Sequence, residues 1–347
     1  MTMKAIVLHA FGGVEHLQLS DWPRPEPKEG EVRIRVRAVS FNPVDYKLRQ
    51  GRFGGELPLI LGRDLAGVVD AVGGGVADLS VGDEVYAYLG GPKSNGSYAE
   101  YVCTATDFVG KKPTNLSFNR ASAVPLVGLT AYQSVVDKAK VQAGESVFIA
   151  GGTGGVGSMV IQLARHVGAH PILTTAGSDR SVEYLTQVLD ILPGHILRYK
   201  GLSLAQLKGR VLEMNGGRGV GAAFDFVGGD MKRLCCEVVD FDGRVVSIVE
   251  EPEDFSLNIW HGRKSPMFAR SATFHFELLS ARAMFGGPET WKIYHKELNT
   301  LTALIEAGAL KPPAVTEVGG LSAESVRRAH TLLEEGHVQG KLVMSVS

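Results

Sequence analysis

Gly152, Gly154 and Gly157 fall on G-x-G-x-x-G spacing, and the residues around them decide what that spacing can do. Ahead of them runs Ser146-Val-Phe-Ile-Ala150, an apolar and β-branched stretch that reads as a strand. Behind them Ser158-Met-Val-Ile-Gln-Leu-Ala-Arg165 carries a helical pattern. Strand, glycine turn and helix in that order form a phosphate cradle. The first glycine allows the tight turn, the second lets a pyrophosphate approach the backbone, and the third lets helix pack on strand. Thr153, Gly155 and Val156 complete a turn whose helix N-terminus offers unpaired N–H groups and a partial positive charge to phosphates. The chemistry indicated is the binding of a nicotinamide dinucleotide.

The kind of dinucleotide depends on the tip of the next strand, Pro171-Ile-Leu-Thr-Thr-Ala176, which runs into Gly177-Ser178-Asp179-Arg180. A chain selecting NADH normally places an acidic residue about 20 positions past the glycines to accept from the ribose 2′-hydroxyl. Asp179 has that spacing, so NADH stays open. The strand tip itself lacks a carboxylate, however, and Ser178 and Arg180 suit the 2′-phosphate of NADPH, because a guanidinium matches an oxyanion bidentately. NADPH is the expected cofactor; the alternative for Arg180 is a solvated charge at a helix start.

The elements that must position this cradle follow from pattern and length. The 347 residues suffice for two domains of ordinary size. Up to about residue 124 the chain is strand-rich, with branched residues in Lys4–His9, Glu31–Ser40, Gly67–Val72, Asp83–Leu89 and Ser97–Val102. Trp22–Pro27 reads as an extended connector and Pro92–Gly96 as a loop. From Ala121 the period becomes helical, interrupted near Pro125 and Gly128, and strands then alternate with helices as in a parallel, doubly wound sheet. Helices are expected over Thr290–Ala307 and Ala323–Glu335. A last strand, Lys341–Val346, could pair back into the first domain.

Composition narrows the partners. Lys and Arg number 36 against 37 Asp and Glu, with no long basic block, so neither nucleic acid nor an anionic membrane surface is expected. Three cysteines, Cys235 and Cys236 adjacent, make no disulfide framework and no zinc spacing. No run approaches the ~18 apolar residues of a membrane span, and the first residues read as a strand rather than a signal peptide. A cytoplasmic setting is expected.

Several segments in this order resemble one family: Asn42-Pro-Val-Asp-Tyr-Lys-Leu-Arg-Gln-Gly51, Leu61-Gly-Arg-Asp-Leu-Ala-Gly67, Val81-Gly-Asp-Glu-Val85, Gly128-Leu-Thr-Ala131, the glycine turn, and Gly340-Lys-Leu-Val343. The chain resembles, essentially end to end, the medium-chain dehydrogenase/reductase superfamily, and within it the zinc-independent quinone and enone reductases. The resemblance implies an α/β architecture in which a Rossmann domain, doubly wound and parallel, is inserted in a GroES-like (chaperonin-10-like) β-barrel domain. The division expected is 1–124 with 281–347 for the catalytic domain and 125–280 for the cofactor domain. It also implies an active-site cleft between the two domains and a homodimer.

Residue by residue, the resemblance places the 42–47 segment beside the nicotinamide. Lys47 is the expected donor to the substrate carbonyl, with Tyr46 and Asn42 as further donors and Asp45 as part of the frame. The bland alternative is a polar edge loop with Lys47 solvated and Asp45 capping a helix. Phe53 departs from the many quinone reductases that carry a tyrosine there. Thr130, Tyr199, Val249, His275, Phe276 and Lys341 match positions near the cofactor, although Thr130 could equally bond its own helix backbone and Lys341 could be a solvated charge. Zinc dehydrogenases of the superfamily hold their metal through a Cys and a His where this chain has Asn42 and Arg63. Neither is a usual zinc ligand, so no metal is expected. Arg63 and Asp64, expected at a helix or turn start, would be cleft groups or an ion pair. The implied activity is NADPH-dependent hydride transfer to a quinone or to the C=C bond of an α,β-unsaturated carbonyl. The alternatives are a metal-free alcohol or carbonyl dehydrogenase, or a crystallin-like protein that binds NADPH without turnover.

Overall fold

Glu31-Val-Arg-Ile-Arg-Val-Arg-Ala-Val-Ser40 sets apolar side chains on one face, burying Val32, Ile34 and Val36. In the computed structural model, which describes residues 1–90, 95–336 and 338–347, this stretch is a central strand. Pro92, Lys93 and Ser94 of the expected loop lie outside the described residues. The strand pairs antiparallel with Asp64–Val72, with Tyr101–Ala105 and with the last strand, Lys341–Ser345. Val343 faces Ser40, so the chain end does return to the first domain and sets Lys341 beside Phe41 and Asn42. Asp64 begins a strand rather than a helix or turn, because it continues the pairing that starts from Ser40.

Two compact units result: Met1–Leu129 with Leu279–Ser347, and Thr130–Leu278. In the first, Thr2–Leu8 also pairs with Leu17–Pro23, a strand absent from the sequence expectation. Most of its side chains are exposed, and it ends on the Pro23 that suggested a connector; an edge position tolerates that proline. The helical stretch is interrupted just before Pro125, at Ala123 and Val124, and Pro125 opens the next helix, Pro125–Tyr132, where its missing N–H costs nothing. Gly128 continues that helix, and a Cβ there would meet Leu301 Cδ1 at 2.9 Å.

The second unit carries six parallel strands in the order Ile196–Arg198, Ile172–Ala176, Val147–Ala150, Val220–Asp225, Val239–Ser247 and Thr273–Phe276. Numbered along the chain this is 3-2-1-4-5-6, the doubly wound dinucleotide-binding order. Its central strands are fully buried, which is why they read as continuous apolar runs rather than alternating ones. Phe148, Ala150, Leu173 and Ala223 pack with Leu234, Cys235 and Val245 in its core.

Candidate functional site

Asn42 stands at the start of the helix Pro43–Arg49, where Pro43 fits the first turn. Asp45 turns back so that its Oδ2 accepts the Asn42 N–H at 2.8 Å, the capping role raised as the bland alternative. The Asn42 side chain is buried at 1% exposure and committed at both ends. Its Nδ2 donates to Asp64 Oδ2 at 2.9 Å, and its Oδ1 accepts from the Lys341 ammonium. Lys341 is not a solvated charge: it is 4% exposed and also donates to Phe41 O at 2.9 Å and to Asp64 Oδ2 at 3.4 Å. Asp64, fully buried, further accepts the Ser40 hydroxyl at 2.9 Å and the Leu126 N–H at 2.8 Å. Arg63 and Asp64 do not form the ion pair considered for them. The Arg63 guanidinium donates to Leu89 O at 2.7 Å instead.

Tyr46 and Lys47 stay half-buried on the same helix. Asp45 itself is fully buried, and its Oδ1 has no hydrogen-bond partner among the described residues. Burial pushes its carboxyl up to about 7, against the Asn42 N–H, Arg63 and Lys341, which favour the anion. Close by, the Tyr98 hydroxyl meets His330 Nε2 at 3.2 Å, and Arg49 Nε donates to His330 Nδ1 at 3.3 Å. Burial first, and then Arg49, push His330 down to about 3, so it stays neutral.

In the second unit the glycine turn has the expected form with one change of role. The positive φ of 89° belongs to Gly151, so the tight turn starts one residue before the motif. A Cβ on Gly152 would meet Thr174 Oγ1 at 2.1 Å, and one on Gly157 would meet Gly151 O at 2.2 Å. A Cβ on Gly154 would find only Gly151 O, at 3.5 Å. The first and last glycines are therefore required by the protein itself, while the middle one leaves open the side a phosphate would use. The helix Gly155–His166 starts immediately after, so the first-turn amides of Gly155, Val156 and Gly157 have no carbonyl one turn earlier. These residues fit a dinucleotide pyrophosphate.

At the adenosine end, Ser178 caps the helix Asp179–Gln187, and Arg180 is exposed beside it. Tyr199 lies over Gly177: a Cβ there would come within 2.5 Å of its hydroxyl. Asp179, the residue that kept NADH open, pairs with Arg198 Nη1 at 2.7 Å. Arg198 was missed by the sequence reading, although Arg-Tyr-Lys stands in plain view; nothing in sequence distance shows that it neighbours Asp179. Replacing Arg180 by Ala is expected to raise the NADPH KM roughly 3- to 10-fold, the worth of one exposed charge-assisted contact, and to leave the NADH KM unchanged. Equal changes for both cofactors would remove Arg180 from 2′-phosphate recognition.

Thr130 is buried on its helix. Val249 follows the strand Val239–Ser247 and is half-buried. His275 and Phe276 lie on the outermost strand, Thr273–Phe276, with Phe276 71% exposed. His275 is held below the usual imidazole range by burial and by Lys138, Arg244 and Lys140. It lines an open cavity of about 460 Å³ with Lys138, Arg244 and Thr273. Among the described residues, no group of three or more His, Cys, Asp or Glu side chains could hold a metal ion, and no helix is long and apolar enough to cross a membrane.

Residues 28–114 match the alcohol dehydrogenase GroES-like domain, and residues 194–344 match the zinc-binding dehydrogenase domain. A zinc-type alcohol dehydrogenase-like protein of Staphylococcus aureus is 33% identical over 331 residues, 93% of each chain. The chloroplastic NADPH-dependent alkenal/one oxidoreductase of Arabidopsis thaliana is 42% identical over 212 residues, 55% of each chain. The solved quinone oxidoreductase from Coxiella burnetii superposes with a TM-score of 0.80 at 31% identity, covering 100% of both chains.

Proposed function

This chain belongs to the medium-chain dehydrogenase/reductase superfamily, and we propose that within it the protein is a zinc-independent, NADPH-dependent reductase of quinones or of enone C=C bonds. It is an oxidoreductase of that family; the substrate and cofactor preference are the proposed part. The observation that carries the reading is the state of Asn42 and Arg63. By the family resemblance they stand where zinc dehydrogenases place metal ligands, and both are already engaged, Asn42 with Asp64 and Lys341, Arg63 with Leu89 O. A lysine ammonium thus holds the buried carboxylate there. Without a Lewis acid, alkoxide formation from an alcohol has no evident stabiliser, whereas reduction of an activated double bond delocalises its charge onto a carbonyl oxygen. NADPH, when bound, supplies the hydride. The amides at Gly155–Gly157 hold its pyrophosphate, and Ser178 and Arg180 its 2′-phosphate. Lys47 and Tyr46 donate to the carbonyl oxygen as charge gathers on it. The Arabidopsis relative, by its description, is NADPH-dependent and acts on alkenals and alkenones. The reading includes a homodimer.

The description of the Staphylococcus relative favours a second reading, an alcohol or carbonyl dehydrogenase. One assay separates the two: oxidation of NADPH and NADH, with EDTA present, against 1,4-benzoquinone, 9,10-phenanthrenequinone, an alkenal, an alkenone and a saturated aldehyde. Turnover of a quinone, alkenal or alkenone with NADPH supports the proposal. Turnover of the saturated aldehyde alone, or activity only after zinc is supplied, refutes it. In the same assay, Lys47→Ala is expected to lower kcat about 10²-fold, the usual cost of one lost oxyanion donor, with NADPH affinity unchanged. An unaltered kcat takes Lys47 out of the mechanism.

A further inference from the structure

Lys232 sits on the helix Asp230–Val238 at 3% exposure, and nothing in the reading above uses it. Its ammonium donates to Val249 O at 2.7 Å, pairs with Glu251 Oε1 at 2.8 Å, and lies 3.9 Å from Asp225 Oδ2. Both carboxylates hold backbone in turn. Asp225 Oδ1 accepts the N–H groups of Val227 at 3.1 Å and Gly228 at 2.8 Å, and its Oδ2 accepts the Ser247 hydroxyl at 2.7 Å. Glu251 Oε1 accepts the Gly229 N–H at 2.8 Å. One buried cation therefore ties the exit of the strand Val220–Asp225 to the exit of the strand Val239–Ser247. The join is tight, since a Cβ on Gly228 would fall 2.8 Å from Val249 Cγ1 and 2.9 Å from Glu251 Oε1.

These exits are the C-terminal ends of parallel strands, where open α/β sheets receive their ligands at the point of order reversal. Val147–Ala150 and Val220–Asp225 are neighbours at that point. The turn after Asp225 borders the glycine loop directly: Phe226 N–H donates to Ala150 O at 3.3 Å, and a Cβ on Gly151 would sit 3.0 Å from Val227 Cγ2. The 2′-phosphate residues belong to the half built on Val147–Ala150 and its two neighbours on one side. The half that begins at Val220–Asp225 is left for the other mononucleotide, which carries the nicotinamide.

We propose that Lys232 is a positioning residue for the nicotinamide half of the dinucleotide, clamping the turns 227–229 and 249–251 into one wall of the crevice. The proposal rests on the NADPH reading above. Without the ammonium, Asp225 and Glu251 lose the one cation that contacts both, and the two turns lose their common anchor.

The test compares NADPH with 2′,5′-ADP, which carries the adenosine half alone, as ligands of the intact protein. In Lys232→Met the Kd for NADPH is expected to rise roughly tenfold, the scale on which small displacements of a supporting shell are felt. The Kd for 2′,5′-ADP should stay within about twofold, as for any site fixed by the glycine turn and the Ser178 end alone. Glu251→Gln keeps an acceptor for Gly229 N–H while removing the charge, and reports the same split, at about threefold, if Lys232→Met does not fold. A lysine that only stabilised the fold would weaken both ligands in parallel. That result, or an unchanged NADPH Kd in a folded variant, overturns the proposal. A wild-type protein that binds neither ligand overturns the NADPH reading itself, a different outcome from a wild type that binds and a variant that binds as well.

Discussion

Lys341→Met is expected to lower the free energy of urea unfolding by about 3–5 kcal/mol, the cost of removing one partner from a buried ion pair. The wild-type arrangement shows why the loss is large. Asp64 is fully buried, and the only cation in direct contact with it among the described residues is the Lys341 ammonium, itself 4% exposed. Taking either charge out of water is expensive, and the pair is tolerated because each member finds the other together with hydrogen bonds. Met matches the lysine stem in length and fills its space, so cavity formation contributes little. Asp64 keeps its donors from Ser40, Asn42 and Leu126, which places the effect toward the lower end of the range. Asn42 also loses the donor on its Oδ1, which frees the residue that starts the helix bearing Lys47. Adding Asp64→Asn neutralises the orphaned carboxylate, and the double variant should recover at least half of the loss. A Lys341→Met unfolding free energy within about 1 kcal/mol of wild type would show that the pair carries no such stability.

This cluster also marks the boundary of what the sequence could reveal. The glycine turn and the strand–helix alternation of the doubly wound sheet are local patterns, legible from spacing and period, and the last strand was legible as a strand that could pair back into the first domain. The segment Asn42–Lys47 was legible as a motif, but the partners of Asn42 were not. Asp64 lies 22 positions away and Lys341 lies 299 positions away, and both arrive through strand register, which no local pattern encodes. The helix Leu204–Met214 went unread although Ser203 and Gln206 form a capping box at its start, a signal that was available. The strand Ile196–Arg198 was missed for the opposite reason: with three residues it carries no period at all, yet it delivers Arg198 to Asp179. Lys232 could not have been singled out, because a lysine on an amphipathic helix ordinarily faces water.

The second large effect is a dependence on pH. A carboxyl with an ordinary value of 3.8 that titrates at about 7 in the fold binds its proton more tightly folded than unfolded. For Asp45 the cause is burial, and Asp64 adds to it, while the Asn42 N–H, Arg63 and Lys341 act in the opposite direction. The linkage sign follows from the proton count. Between these two values the folded state carries more protons than the unfolded one, so stability falls as pH rises. The penalty is absent well below 3.8, grows through the interval, and is complete above about 7. At ~1.36 kcal/mol per pH unit it reaches roughly 4 kcal/mol, of which roughly 2–3 kcal/mol develops between pH 5 and pH 8. Asp45→Asn keeps an oxygen for the Asn42 N–H and removes the titration. Relative to wild type, the variant should therefore gain roughly 2–3 kcal/mol of stability on going from pH 5 to pH 8, read as the difference between two sets of urea midpoints. Taking the difference cancels the titrating groups that do not interact with Asp45, since both proteins share them. If the two proteins lose stability in parallel over that interval, Asp45 is ionised in the fold at neutral pH, and its unpartnered Oδ1 must then be satisfied by something other than a proton.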